Sequence, residues 1–165
     1  EFNTEKIIIG GESAGANLSA VTLLRLKSKG LLDTIKGANL IYGSYDARLT
    51  PSAIRQEGSD EIFLLSYAMI RKFRDSYFQG DGDKSLPDVS PRQGDLSGMP
   101  PALFTVGTRD LLLDDSLFMF GRWLSYGSNA EIIIVPGADH AFNAFPSETT
   151  TLVENKINEF LQSVL

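Results

Sequence analysis

The chain has 165 residues, 42% of them hydrophobic and 22% charged, enough apolar material for one compact domain with its own core. Its formal net charge of -6 lacks the basic footprint that a phosphate backbone requires, which excludes nucleic acid as a partner. With no cysteine and a single histidine, disulfide frameworks, thiolate metal sites, a cysteine nucleophile and a His-rich metal centre are excluded, so a nucleophile here is an oxygen or an amine.

Ile7-Ile8-Ile9 is short, β-branched and followed at once by glycine, the pattern of a strand buried on both faces in a parallel sheet. From Ser13 to about Lys29 the apolar positions Leu18, Val21, Leu23, Leu24 and Leu26 fit one helical face, and Gly30 is placed to end that helix. Ala38 to Tyr42 reads as a second strand, leading through Gly43-Ser44-Tyr45-Asp46 into a polar loop. Residues 50–98 break the rhythm and look inserted. They hold one amphipathic helix candidate, with Ile62, Phe63, Tyr67, Met69, Ile70, Phe73 and Tyr77 near helical spacing, then a stretch rich in Gly, Asp, Ser and Pro. Regular alternation returns with a strand at Ala102–Gly107, a helix from Asp115 to Tyr126, a strand at Glu131–Val135, a loop from Pro136 to Pro146 and a last helix over Ser147–Leu165, with Ser147 as its N-cap. Strands alternating with helices of ten or more residues predict an α/β fold, a parallel sheet with helices on both faces and right-handed crossovers. In such sheets functional side chains gather beyond the carboxyl ends of the strands, where Ser13, Asp46, Asp110 and His140 all fall.

Gly11-Glu12-Ser13-Ala14-Gly15 sits between the first strand and the first helix. A turn that sharp strains the residue at its apex and demands nearly side-chain-free neighbours two positions away, here Gly11 and Gly15. It would lift Ser13 Oγ above the sheet edge and aim the Ala14 N–H, at the helix start, where an oxyanion would form. The rival reading is a phosphate-cradling loop. It fails because no Gly-Lys-Ser/Thr ending follows and Gly10, Gly11 and Gly15 do not make Gly-x-Gly-x-x-Gly.

A serine hydroxyl needs a base, and His140 in Asp139-His140-Ala141-Phe142 is the only histidine. A carboxylate must then fix its tautomer. Asp110 lies just past the strand ending Val106-Gly107 and keeps the chain order serine, acid, histidine, which makes it the first choice. Asp46 is the runner-up. Asp114 and Asp115 are expected to serve the dipole of the next helix, and Asp139 to structure its loop.

With these residues assigned, the chain resembles the hormone-sensitive-lipase-like branch of the α/β-hydrolase superfamily. Gly11-Glu12-Ser13-Ala14-Gly15 is similar to that branch's Gly-Asp-Ser-Ala-Gly elbow, and Ser90-Pro91 through Met99-Pro100-Pro101-Ala102 to its approach to the acid-bearing strand. Val106-Gly107-Thr108-Arg109-Asp110-Leu111-Leu112-Leu113-Asp114 is similar to its Gly-x-x-Asp-Pro-Leu-x-Asp segment, with Leu111 in place of proline, and His140-Ala141-Phe142 stands for the commoner His-Gly-Phe. The resemblance implies the carboxyl-terminal part of an α/β-hydrolase that cleaves small carboxylic esters without a cofactor. It also implies that residues 50–98 form a cap-like segment over the site. The branch's His-Gly-Gly-Gly-type loop, which supplies further oxyanion N–H groups upstream of the elbow, has no counterpart in this sequence, so an N-terminal half of the same protein is expected as a partner. A small-molecule-binding protein on the same scaffold, and a peptidase or lactonase with the same triad, are the alternatives. No apolar run approaches the roughly 18 residues that span a bilayer, and no basic-then-apolar leader opens the sequence. The chain is expected to be soluble, with the cytoplasm the favoured compartment.

Overall fold

The computed structural model describes residues 6–58, 64–78 and 82–165. Four strands, β1 (Ile7–Glu12), β2 (Ile35–Ile41), β3 (Ala102–Gly107) and β4 (Ala130–Val135), pair in parallel in the order β1-β2-β3-β4. Helix α1 (Ala14–Ser28) joins β1 to β2 and α4 (Leu113–Ser125) joins β3 to β4. Both pack on the sheet face that carries Ala38, Leu40, Ala102 and Phe104, through Ala16, Ala20 and Leu23 of α1 and Met119 and Trp123 of α4. Sequential strands joined by right-handed crossovers put both helices on one side. Helix α5 (Glu148–Ser163) runs back under the other face, where Ile157 packs on the cluster containing Ile41 and Val106. The expected α/β class with two covered faces is the class observed.

Local chemistry accounts for the element ends. Gly30, at φ 66°, lets α1 close in a Schellman turn, with Gly30 N bonding Lys27 O and Leu31 N bonding Leu26 O, each at 2.9 Å. Ser147 caps α5 as expected, its hydroxyl accepting from Thr150 N at 3.0 Å. Two expectations need correction. β1 is not buried on both faces: Ile7 is 39% exposed and Ile8 and Ile9 are half-buried, because among the described residues β1 pairs with β2 alone. The helix candidate in 50–98 is α3 (Tyr67–Tyr77), started by Ser66 as N-cap, and it is preceded by the single turn α2 (Pro51–Ile54), which no apolar period announced. Ile62 and Phe63 lie outside the described residues. No described helix is long and apolar enough to cross a membrane.

Candidate active site

Only Ser13 separates β1 from α1, at φ 53° and ψ -117°, a backbone state that costs a non-glycine residue on the order of 1–3 kcal/mol. It is pinned by Ser13 N to Ile41 O at 2.9 Å and by Ala16 N and Asn17 N to Ser13 O at 3.1 and 3.3 Å. The two glycines of the elbow differ. A Cβ on Gly11 would stand 2.4 Å from the Gly15 carbonyl carbon, whereas one on Gly15 meets no heavy atom within 4 Å, so the requirement for a bare backbone holds at Gly11 and not at Gly15. Ser13 occupies the N-cap position of α1, where serine is favoured for bonding the first amides, yet its side chain caps nothing. Its hydroxyl faces His140 instead.

The other two loops are tied to each other. A Cβ on Gly107 would stand 2.1 Å from Ala138 O, so the end of β3 touches the backbone of the histidine loop directly. Thr108 N bonds Val135 O and Arg109 N bonds Ala138 O, each at 3.0 Å, and Arg109 Nε bonds Asp139 Oδ1 at 3.1 Å. This clamp brings Asp110 and His140, both nearly buried, into contact: Asp110 Oδ2 lies 2.8 Å from His140 Nδ1, while Oδ1 accepts from Leu112 N at 2.8 Å. His140 Nε2 lies 3.0 Å from Ser13 Oγ. A carboxylate only accepts, so the proton belongs on Nδ1, leaving the Nε2 lone pair for the serine hydroxyl. Ala14, the first residue of α1, lines the same cleft, and amides in the first turn of a helix have no intrahelical acceptor.

The competing carboxylates go elsewhere. Asp46, 2% exposed, is held by Arg48 at 2.9 and 2.7 Å, by Arg92 and by Gln93 at 3.2 Å. Burial works to raise its carboxyl, but the hydrogen bonds from Arg48 and Arg92 outweigh burial and hold it down at about 2. Asp114 and Asp115 do more than serve the α4 dipole. Asp114 accepts from Ser52 N at 2.7 Å, and Asp115 accepts from Tyr45 N, Asp46 N and Thr50 Oγ1 at 2.6, 2.9 and 2.6 Å, pinning the chain that leaves β2. Full burial pushes the Asp115 carboxyl up to about 6 in spite of those bonds. Asp139 bridges to Arg109, within the loops it was expected to structure.

A cavity of about 510 Å³ opens beside Ser13 and His140, walled by Leu18 of α1 and by Leu65, Met69, Phe73 and Tyr77 from the 50–98 segment. Three side chains around the histidine escaped the sequence: Tyr42, whose ring centroid is 4.7 Å from that of His140, and Glu12 and Asn143, which bond the Tyr42 hydroxyl. No spacing rule links positions that far apart.

A parallel sheet, a strained serine elbow and an Asp–His–Ser chain at the strand ends define an α/β-hydrolase. Residues 1–144 match a family model described as the alpha/beta hydrolase fold, and the chain belongs to that family. It is 38% identical to an esterase of Acinetobacter venetianus over 110 residues, which make up 67% of this chain and 36% of that protein. Among solved structures it is similar to the Pyrobaculum calidifontis esterase, with TM-score 0.89 and 27% identity over 98% of this chain and 54% of that one. It is also similar to a hormone-sensitive lipase from a metagenome library, with TM-score 0.89 and 26% identity over 99% of this chain and 56% of that one. The chain thus spans about a third of the Acinetobacter esterase and a little over half of the other two.

Proposed function

We propose that the chain carries the catalytic centre of a serine carboxylesterase. Ser13 attacks the ester carbonyl, His140 takes the hydroxyl proton at Nε2 and returns it to the leaving alkoxide, and Asp110 fixes the imidazole and stabilises its cation. Water, activated by the same imidazole, then cleaves the acyl-serine. The observation that carries this reading is the unbroken Asp110–His140–Ser13 chain, with contacts of 2.8 and 3.0 Å. The Ala14 N–H is one oxyanion donor. One missing donor costs on the order of 100- to 1,000-fold in rate, so we assign the others to a segment N-terminal to the elbow strand. That assignment agrees with the partial overlap with the relatives, and a sole species near 18.0 kDa by intact mass, fully active, counts against it. The 50–98 segment is read as a cap whose Met69, Phe73 and Tyr77 line the acyl pocket. Esterase names among the relatives and the apolar cavity support an uncharged acyl group.

Labelling with a fluorophosphonate tests the reading. An adduct on Ser13 that is lost in Ser13→Ala is expected, and a folded sample that includes the upstream segment and takes no label refutes it.

A further inference from the structure

Two hydrogen bonds at opposite ends of a ring fix an axis but leave the ring free to tilt about it. His140 is held in this way, by Asp110 at Nδ1 and Ser13 at Nε2. Its tilt depends on what packs its face. Tyr42 does so, with ring centroids 4.7 Å apart and planes at 58°, and Phe142 braces Tyr42 edge-on at 6.2 Å. The far end of the phenol is locked in turn. Its hydroxyl lies 2.7 Å from Glu12 Oε2 and 2.6 Å from Asn143 Oδ1, its single proton serving one of them at a time, and Asn143 Nδ2 donates to Glu12 Oε1 at 2.7 Å. Glu12 immediately precedes Ser13 and Asn143 follows His140 by three positions, so this triangle joins the elbow to the histidine loop across the face of the reacting ring.

The backbone agrees. Tyr42 immediately follows β2 at φ 36°, a left-handed state unfavourable for an aromatic residue, and its amide bonds Thr105 O at 2.7 Å. Such strain persists where the surroundings over-determine a conformation. Burial, and after it the hydrogen bond to Glu12, push the Tyr42 phenol well up, so it remains a donor across the working pH range.

We propose that Tyr42, clamped by Glu12 and Asn143, is a positioning residue that sets the tilt of His140 and thereby the alignment of Nε2 with Ser13 Oγ. This rests on the serine-esterase reading, and it is tested by a signal that needs no turnover. His140 is the only histidine in the chain, so the imidazole proton resonances, including the Nδ1 proton shared with Asp110, are unambiguous by NMR. Tyr42→Phe keeps the ring and removes the lock. It is expected to speed solvent exchange of the Nδ1 proton at least about 10-fold and to lower kcat or the rate of Ser13 labelling about 10-fold with KM unchanged, since misplacement of well under 1 Å is enough for such a loss. Tyr126→Phe, remote from the site, is expected to leave the Nδ1 proton as in the wild type. Where Tyr42→Phe does not fold, Asn143→Ala, in the half-buried single turn that follows His140, carries the test with the same expected signs. A folded variant with an unchanged Nδ1 proton overturns the positioning role. Loss of all Ser13 labelling in the wild type overturns the esterase reading instead, and the NMR outcome then stands alone.

Discussion

Asp110→Asn separates the proposed orienting acid from every other carboxylate near the site. In the wild type Oδ1 accepts from Leu112 N and Oδ2 from His140 Nδ1, each at 2.8 Å. The asparagine amide can satisfy only one of these as the carboxylate did. With its carbonyl kept on Leu112, the NH2 group faces Nδ1, the imidazole proton moves to Nε2, and no lone pair remains for the serine. Flipped, the carbonyl accepts from Nδ1–H, but the NH2 group opposes the buried Leu112 N–H, at a cost of about 2 kcal/mol or a factor of about 30. The developing imidazolium also loses a counter-charge worth about 4 kcal/mol at 4 Å and an effective dielectric of 20, a further factor of about 1,000. The product is a fall of about 3 × 10^4, close to the order of 10^4 known for the same exchange in a serine triad. Initial rates of p-nitrophenol release from a short-chain p-nitrophenyl ester measure it, with the rate of fluorophosphonate labelling as a second readout. The reasoning is refuted if folded Asp110→Asn keeps more than a tenth of the wild-type rate, or if folded Asp46→Asn falls as far.

Asp46→Asn removes the buried acceptor shared by two partly exposed arginines, Arg48 and Arg92, and is expected to cost about 2 kcal/mol in urea melts while the labelling rate of the folded fraction stays near that of the wild type. Asp115 gives a pH signature of the opposite sign to that of a paired carboxylate. Its folded value of about 6 lies above the 3.8 of an ordinary aspartate, so the native state binds the extra proton between those limits and stability falls by up to about 3 kcal/mol as pH rises from 4 to 6. Melts at pH 4.5 and 6.5 should show this slope in the wild type and a flatter one in Asp115→Asn, whose amide can donate to Thr50 Oγ1. Asp46, held at about 2, adds stability that is present above 3.8 and lost as pH falls toward 2, so these two contributions together are expected to peak near pH 4. Gly11→Ala should lose both melting temperature and Ser13 labelling, because its Cβ meets the Gly15 backbone at 2.4 Å, whereas Gly15→Ala at the start of α1 should fold as well as the wild type or better. Met69→Trp should fill the cavity wall and lower kcat/KM for a longer acyl chain at least about 10-fold more than for acetate.

The parts of this site that the sequence displayed are those whose chemistry is local. Ile7 to Gly15 compresses strand, strained turn and helix start into nine positions, and the φ of 53° at Ser13 follows from that compression. The sole histidine left no rival for the base. Asp110 was reachable because strand ends in a parallel sheet fall on one edge, so an acid just past β3 must lie near a loop just past β4. Where the sequence misled, tertiary contacts had replaced the local rule. Asp114 and Asp115 sit where a helix dipole welcomes them, yet they bind amides of the segment after β2, because that segment has buried donors to satisfy. Gly15 carries the motif's spacing without its steric need.

By itself, then, the sequence determined the class of fold, the serine elbow and the chain order of Ser13, the candidate acids and His140, since each depends on a short run of residues. Which acid meets the imidazole, how far β1 is covered, and how Glu12, Tyr42 and Asn143 close around His140 were decided by the tertiary structure. Hydrogen-bond partners 30 to 131 residues apart are selected by sheet register and loop packing, and no local period records that choice.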